Sequence, residues 1–251
     1  MAKTTILLRR DVVRKLSKDK AFISLMCLMR AANALRFALD GVFAYTDEDS
    51  PRSTRAKFTG GLFFVGTTAE SLRTLKGHRR HIEALEGFDR MRRILDSALF
   101  LKMNDDQGFL TRLRSKVSFH FTSDHMTERL NRHWPDPAVL LTVDPEKPSD
   151  VHYAMPDFAV GHGTPEHLNP TIADIEEFTK LFPELQWSTP PEPTGAKELD
   201  DFLLGIDAAR SMAFAFVAGV DAMVFAQAAT WDVFAGRETD EGIVDRTASK
   251  I

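Results

Sequence analysis

Residues 20–43 read KAFISLMCLMRAANALRFALDGVF, and their apolar members recur mostly three or four positions apart. This spacing, which runs from Phe22 through Leu25 and Met29 to Leu35, places apolar side chains on one face of an α-helix. Asp19 stands directly before the run, where a side-chain acceptor can cap a helix N-terminus. The stretch therefore predicts a long amphipathic helix that buries one face.

Three further helices are predicted after it. Ser50 followed by Pro51 is typical of an N-cap with proline at the first helical position. Gly60, Gly61 and Gly66 within the second helix predict a close approach of another helix or a local bend. The four predicted helices span residues 20–43, 51–77, 82–103 and 107–121. We assign residues 20–122 to core helices 1–4 of the fold.

The chain changes character after Trp134, because eleven of its twelve prolines follow that residue. We therefore assign residues 123–195 to an irregular insertion. Two β-prone runs in this insertion, 139–143 and 151–160, are compatible with a hairpin. A helix is predicted over residues 171–181, because Asn-Pro precedes it and its apolar residues keep helical spacing.

The last part of the chain is rich in alanine and other small residues. A long closing helix is predicted from about Lys197 to Phe234, within a segment assigned as 196–235. Residues 236–251 are polar and are assigned to a flexible tail. The sequence thus predicts one domain over residues 1–251, mostly all-α, built as an antiparallel four- to five-helix bundle.

Composition favours a cytoplasmic protein. The single cysteine, Cys27, excludes an internal disulfide, and residues 1–20 carry charges throughout and lack the apolar run of a secretory signal. Residues 211–231 have about the length that a bilayer span requires, but Asp221 lies at their centre and a charged residue there is costly. A buried helix is therefore predicted, without membrane contact.

Charge is distributed unevenly along the chain. Residues 1–134 hold 25 Lys and Arg against 15 Asp and Glu, whereas the remainder holds 7 and 21, although the formal net charge is only −4. Such a split is typical of a surface that binds polyanions beside an acidic segment. Two solvated surfaces that attract one another would give the same count.

Several kinds of site are not indicated by the sequence. None of the eight histidines has a glutamate three residues before it, as a di-metal helical bundle would require. The run His78-Arg79-Arg80-His81 is too cationic to attract a metal ion. Phosphate-binding glycine loops and the nucleophile elbow are also missing from the sequence. No metal and no cofactor is predicted.

One motif in the fourth predicted helix does suggest chemistry. Residues 114–121 read RSKVSFHF, so that Arg114 is followed after five residues by His120. This segment resembles the signature of the HEPN family of helical-bundle proteins, an Arg separated by four to six residues from a His. Arg73 and His78 have a similar spacing, but that pair straddles Gly77, where the second helix is predicted to end.

The resemblance implies an HEPN-like bundle and a metal-independent endoribonuclease of toxin or phage-defence type. It implies that Arg114 and His120 are catalytic and that two protomers form a composite cleft in a homodimer. RNA is the implied partner, and an antitoxin or regulatory protein is a further one. The alternative is a non-catalytic helical module that dimerises or binds RNA or a partner protein. Basic residues suited to phosphate contacts are Arg112, Lys116, Arg79, Arg80, Arg90, Arg92 and Arg93.

Overall fold

The computed structural model shows a mostly helical protein, as predicted. It describes residues 4–8, 10–43, 50–116, 142–143, 146, 151–152, 166–187, 193, 195, 197–228, 230, 233–239 and 242–247. A short helix, α1 (Arg10–Leu16), follows the first strand, and a turn over residues 17–19 leads into the first long helix.

The first long helix, α2 (Lys20–Phe43), has the predicted bounds. A carboxylate oxygen of Asp19 accepts a hydrogen bond from the backbone N–H of Ala21 at 2.8 Å, which satisfies one of the free donors at the helix start. Leu25, Leu28 and Leu35 are fully buried along one face. The predicted amphipathic helix is confirmed.

The second long helix, α3 (Pro51–Ile82), packs along α2. Ser50 is its N-cap and accepts a hydrogen bond from the backbone N–H of Ser53 at 3.1 Å, as predicted from the Ser-Pro pair. The helix continues past its predicted end at Gly77, because a single glycine costs only about 1 kcal/mol in a helix interior.

The predicted helix over residues 82–103 is instead two short helices, α4 (Asp89–Asp96) and α5 (Ala98–Met103). Gly87 adopts a left-handed backbone with φ of 85° before α4 begins. Ser97 is extended between the two helices, and its hydroxyl accepts a hydrogen bond from the backbone N–H of Phe100. The prediction of one continuous helix was wrong, because glycine and serine supply a turn and a cap that the apolar spacing does not reveal.

Three more helices complete the described helical part. These are α6 (Phe109–Lys116), α7 (Ile172–Lys180) and α8 (Lys197–Ala228). Helix α7 begins with a capping box between Thr171 and Asp174, within the predicted helix over residues 171–181. The closing helix α8 ends at Ala228, before its predicted end at Phe234. A single 3₁₀ turn covers Glu166–Leu168.

Helix α8 contacts α2, α3, α4 and α7, so it completes the core. Close approach is possible where α8 or its neighbour has a glycine. A Cβ added at Gly61 would lie 3.5 Å from Ile206, and one added at Gly219 would lie 2.9 Å from the sulfur of Met91. The distance at Gly61 is an ordinary van der Waals contact, so the close approach or local bend predicted from Gly60, Gly61 and Gly66 remains a prediction. The large side chains of the core include Phe64, Phe88, Phe178, Phe182 and Phe216.

Two small sheets accompany the helices. Strands β1 (Thr4–Leu8), β4 (Val233–Thr239) and β5 (Gly242–Thr247) form an antiparallel sheet in the order β1-β4-β5. The last two strands lie where we expected a flexible tail over residues 236–251. Their backbone groups pair with each other and with a strand from the opposite end of the chain, a long-range pairing that local polarity does not reveal.

The second sheet pairs β2 (Thr142–Val143) with β3 (Val151–His152), two residues on each side. Both strands fall within the β-prone runs of the predicted insertion. The residues around them lie outside the described part of the chain, so the hairpin remains a prediction.

Candidate functional site

Arg114, the predicted catalytic arginine, lies in α6 and contacts α3. Its Nε donates a hydrogen bond to Oε1 of Glu70 at 2.6 Å, and its Nη2 lies 2.6 Å from the same oxygen. The Arg114 side chain is 31% exposed and that of Glu70 is 47% exposed. The guanidinium is therefore held by a neighbouring helix while part of it remains accessible to solvent.

The surroundings of this pair add a second cation. Nη1 of Arg73, one turn after Glu70 on α3, lies 3.8 Å from the same carboxylate oxygen, and the Arg73 side chain is 68% exposed. Glu70 thus lies between two arginines from two helices. With two guanidinium groups beside one carboxylate, the cluster has an excess of formal positive charge.

His120, the second predicted catalytic residue, lies outside the described residues. The same holds for the side chain of Lys116, whose backbone is the last residue of α6. The structure therefore places Arg114 and identifies its partner, and the pairing of Arg114 with His120 remains a prediction.

The arginines of α4, which we predicted as phosphate contacts, each have a partner. Arg90 and Arg93 join α4 to residues 181–184, which follow α7. Arg92 instead contacts Asp89 on its own helix, and its guanidinium lies 5.5 Å from the ring centre of Phe88. Because their exposed sides still face solvent, these contacts do not prevent phosphate binding. The polar partners are Glu184 for Arg90 at 3.2 Å, Asp89 for Arg92 at 3.0 Å and the carbonyl of Leu181 for Arg93 at 3.0 Å.

Two other predicted phosphate contacts also have polar neighbours. Arg79 lies 3.8 Å from a carboxylate oxygen of Glu83 and 3.7 Å from one of Asp96. Arg112 donates a hydrogen bond to the side-chain oxygen of Gln107 at 3.1 Å. Exposed ion pairs of this length contribute about 0–1 kcal/mol, so a phosphate can replace them at small cost.

The last turn of α3 has a different electrostatic setting. Nε of Arg80 donates a hydrogen bond to Nε2 of the His81 ring at 3.2 Å. Partial burial of the ring, followed by the positive charges of Arg80, Lys20 and His78, lowers the pKa of His81. His78 is hydrogen-bonded through Nδ1 to the buried hydroxyl of Ser24 at 2.9 Å. Among the described residues, the charged groups that lower the pKa of His81 are thus Arg80, Lys20 and His78.

Two other titratable groups lie in structural positions. Burial raises the pKa of Asp207 on α8, and the neighbouring Arg210 opposes that change through its charge and a hydrogen bond. Although burial disfavours ionisation of Asp174, hydrogen bonds from Lys102 and Thr171 hold its pKa below the ordinary value. Within the described residues, no group of three or more His, Cys, Asp or Glu is arranged to hold a metal ion.

Two described helices meet the length and composition requirement for crossing a membrane. They are 20–41 in α2 and 200–228 in α8, and 39% and 61% of their apolar windows are buried inside the protein. Core helices of soluble proteins meet the same requirement. The prediction of a cytoplasmic protein without membrane contact therefore remains a prediction.

Comparisons with known proteins add no constraint, because no family model, no curated protein and no solved structure matches the chain. The sequence motif predicted Arg114 as a site residue, and it did not predict the contacts of Glu70 with Arg114 and Arg73. Glu70 and Arg73 lie three residues apart on one face of α3, and this spacing points to the site only when α6 is known to pack beside α3.

Proposed function

We propose that this protein is a metal-independent endoribonuclease of toxin or phage-defence type, with an HEPN-like bundle and a composite active site between two copies of the chain. The observation that supports the proposal is the position of Arg114 on α6, where Glu70 holds its guanidinium while the side chain stays 31% exposed. An oriented, accessible guanidinium suits a phosphate, because it stays charged and offers several donors in one plane.

In the proposed reaction the 2′-hydroxyl oxygen of RNA attacks the adjacent phosphorus, and the bond from phosphorus to the 5′-oxygen breaks. A base takes the proton of the 2′-hydroxyl, and an acid gives a proton to the leaving 5′-oxygen. His120 serves as base or acid, since histidine titrates near neutral pH. Arg114 stabilises the charge that develops on the phosphate oxygens. The products are a 2′,3′-cyclic phosphate and a 5′-hydroxyl.

Helix geometry explains why two copies are needed. Six residues advance an α-helix by about 9 Å and turn it to a different face, so Arg114 and His120 of one continuous helix do not converge on one phosphate. A homodimer that packs across this helix supplies both groups to one cleft. The remaining predicted cations would then contact the RNA backbone on either side: Arg112, Lys116, Arg79, Arg80, Arg90, Arg92 and Arg93.

A second function is favoured by the same ion pair. Arg114 connects α6 to α3 through Glu70, which is what a purely structural arginine would do. In that case the protein is a non-catalytic helical module that dimerises or binds RNA or a partner protein. Under either proposal it acts in the cytoplasm, where an antitoxin or regulatory protein would control it.

One experiment separates the two functions. Purified wild type is incubated with end-labelled single-stranded RNA in the presence of a chelator, and the product ends are analysed. Arg114→Ala and His120→Ala should each abolish cleavage, whereas His167→Ala, at an exposed position on a 3₁₀ turn, should cleave as wild type. Thermal unfolding of each variant shows whether it is folded.

The ribonuclease proposal predicts a 2′,3′-cyclic phosphate and growth inhibition by wild type but not by His120→Ala. Cleavage that requires a divalent metal, or that survives both substitutions in folded proteins, contradicts it. Folded, dimeric protein that binds RNA without cutting it supports the non-catalytic module.

A further inference from the structure

We propose that the exposed face of the last turns of α3 is a binding track for the backbone of single-stranded RNA, formed by Arg73, Lys76 and Arg80 and extended by Lys20. This inference rests on the proposed function, because it identifies where the substrate strand lies beside Arg114. Of these four residues, only Arg80 was among the phosphate contacts predicted from the sequence.

The track follows from helical spacing. Arg73, Lys76 and Arg80 are three and four residues apart on α3, and all three are exposed. Residues at this spacing are neighbours on a helix surface, about 5–6 Å apart at their Cβ atoms. The row from Arg73 to Arg80 therefore extends about 10 Å along the helix. Gly77 lies between them and adds no side chain that would cover the row.

The track is continuous with the candidate catalytic arginine. Arg73 and Arg114 both approach Oε1 of Glu70, at 3.8 Å and 2.6 Å. A strand that lies along Arg80, Lys76 and Arg73 would thus reach Arg114 at the other end of the row. Glu70 is the carboxylate at this end, and it contacts both arginines.

The far end of the track is strongly cationic. Arg80 donates to the His81 ring rather than to a carboxylate, and Lys20 at the start of α2 acts on the same ring. The two nearest acidic residues in the sequence have other contacts, since Glu83 lies near Arg79 and Asp19 accepts from the backbone of Ala21. Concentrated positive charge of this kind attracts phosphate and releases counterions when a strand binds.

The α4 arginines provide a contrast within the same protein. Arg90 and Arg92 are paired with Glu184 and Asp89, and Arg93 is bound to a backbone carbonyl. At Arg90 and Arg92 a carboxylate already offsets part of the positive charge, whereas the described partner of Arg80 is an imidazole ring. The α3 row is therefore the surface that the described charges favour for the strand.

The test measures binding separately from cleavage. The probe is a fluorescent single-stranded RNA with 2′-O-methyl groups, which lacks the nucleophilic hydroxyl and so cannot be cut by the proposed reaction. Anisotropy titrations at several salt concentrations compare full-length wild type with the triple variant Arg73→Gln, Lys76→Gln, Arg80→Gln. The matched control is Arg14→Gln, Arg30→Gln, Lys180→Gln, which removes the same charge from exposed positions on α1, α2 and α7.

The triple variant should bind at least tenfold more weakly at low salt, and the control should bind within about twofold of wild type. Three lost contacts should also reduce the slope of log affinity against log salt by about 2, at about 0.7 per contact on single strands. Equal losses in both variants, or wild-type binding by the folded track variant, would overturn the track. If wild type binds and the track variant does not, but no RNA is ever cut, the track stands and the ribonuclease proposal fails.

Discussion

Nε and Nη2 of Arg114 contact a single oxygen of Glu70, each at 2.6 Å. If this carboxylate positions Arg114 for catalysis, Glu70→Gln should lower kcat for RNA cleavage by roughly tenfold with little change in KM, since orientation matters most in the transition state. Removal of a negative charge beside the strand should not weaken RNA binding. Steady-state kinetics on one RNA substrate measure both constants.

Glu86→Gln is the control for this substitution, because Glu86 is an exposed carboxylate in the loop before α4. It should leave kcat and KM unchanged. The Glu70 pair is partly exposed, so its loss should cost at most about 1 kcal/mol of stability. An increase in KM with unchanged kcat would show instead that Glu70 affects binding only.

Acidification should strengthen RNA binding through His81. Neutral His81 accepts a hydrogen bond from Arg80, and its lowered pKa keeps it neutral near pH 7. As pH falls through this lowered pKa, protonation adds a positive charge and ends that hydrogen bond, which releases Arg80 toward a phosphate. The charged and titratable groups that act on the His81 ring are Arg80, Lys20 and His78.

The measurement compares salt slopes of RNA binding at about pH 7.5 and about pH 5.5. Wild type should gain about one phosphate contact at the lower pH, which steepens the slope by about 0.7. His81→Gln should lose most of that gain, while His167→Gln should keep it. A gain of the same size in His81→Gln would assign the pH effect to other histidines.

Local features of the chain predicted much of the helical structure. The spacing of Leu25 and Leu35 predicted α2 with its observed bounds, and the Ser50-Pro51 pair predicted the start of α3. Both features depend only on residues close together in the sequence, because capping and amphipathic spacing are local properties of a helix. At Gly87 the backbone is left-handed and an added Cβ would lie 3.1 Å from the backbone of Ala222, a contact between distant parts of the chain that the sequence alone does not reveal.

At the candidate site, too, the local features were predicted from the sequence and the long-range contact was not. The motif predicted Arg114 as a functional residue, and its helix was predicted as well. Its ion pair with Glu70 joins residues 44 positions apart, so it depends on how α6 packs against α3. The sheet formed by β1 and β4 joins the two ends of the chain for the same reason. Contacts between residues that are far apart in the sequence cannot be predicted from local sequence patterns.

Two glycines in long helices should respond oppositely to alanine. A Cβ at Gly205 would overlap the ring of Phe109, with Cδ2 only 2.7 Å away, and that ring is buried. Gly205→Ala should therefore destabilise the protein by about 1–3 kcal/mol through overpacking. Gly77 is exposed on α3 with no atom within 4 Å of an added Cβ, so Gly77→Ala should stabilise by about 0.5–1 kcal/mol.

Urea unfolding of both glycine variants measures these effects. Opposite shifts of the midpoint, with unchanged dependence on urea, would agree with the packing of α6 against α8. A stabilised Gly205→Ala variant would show that Phe109 does not lie against α8 as described.

Asp174 should stabilise the protein in a pH-dependent way. Its carboxylate accepts hydrogen bonds from the backbone and hydroxyl of Thr171 and from Lys102 at 2.7 Å, so it joins the start of α7 to α5. Asp174→Asn removes the charge and should cost about 1 kcal/mol at neutral pH.

Because the folded state lowers the pKa of Asp174, this stabilisation is present above the unfolded pKa and is lost as pH falls through the folded pKa. Urea unfolding should therefore show a stability difference between wild type and variant at about pH 7 that becomes smaller at about pH 3. Glu176→Gln, an exposed carboxylate on the same helix, should match wild type at both pH values, and a difference for Asp174→Asn that stays constant with pH would exclude its carboxylate as the cause.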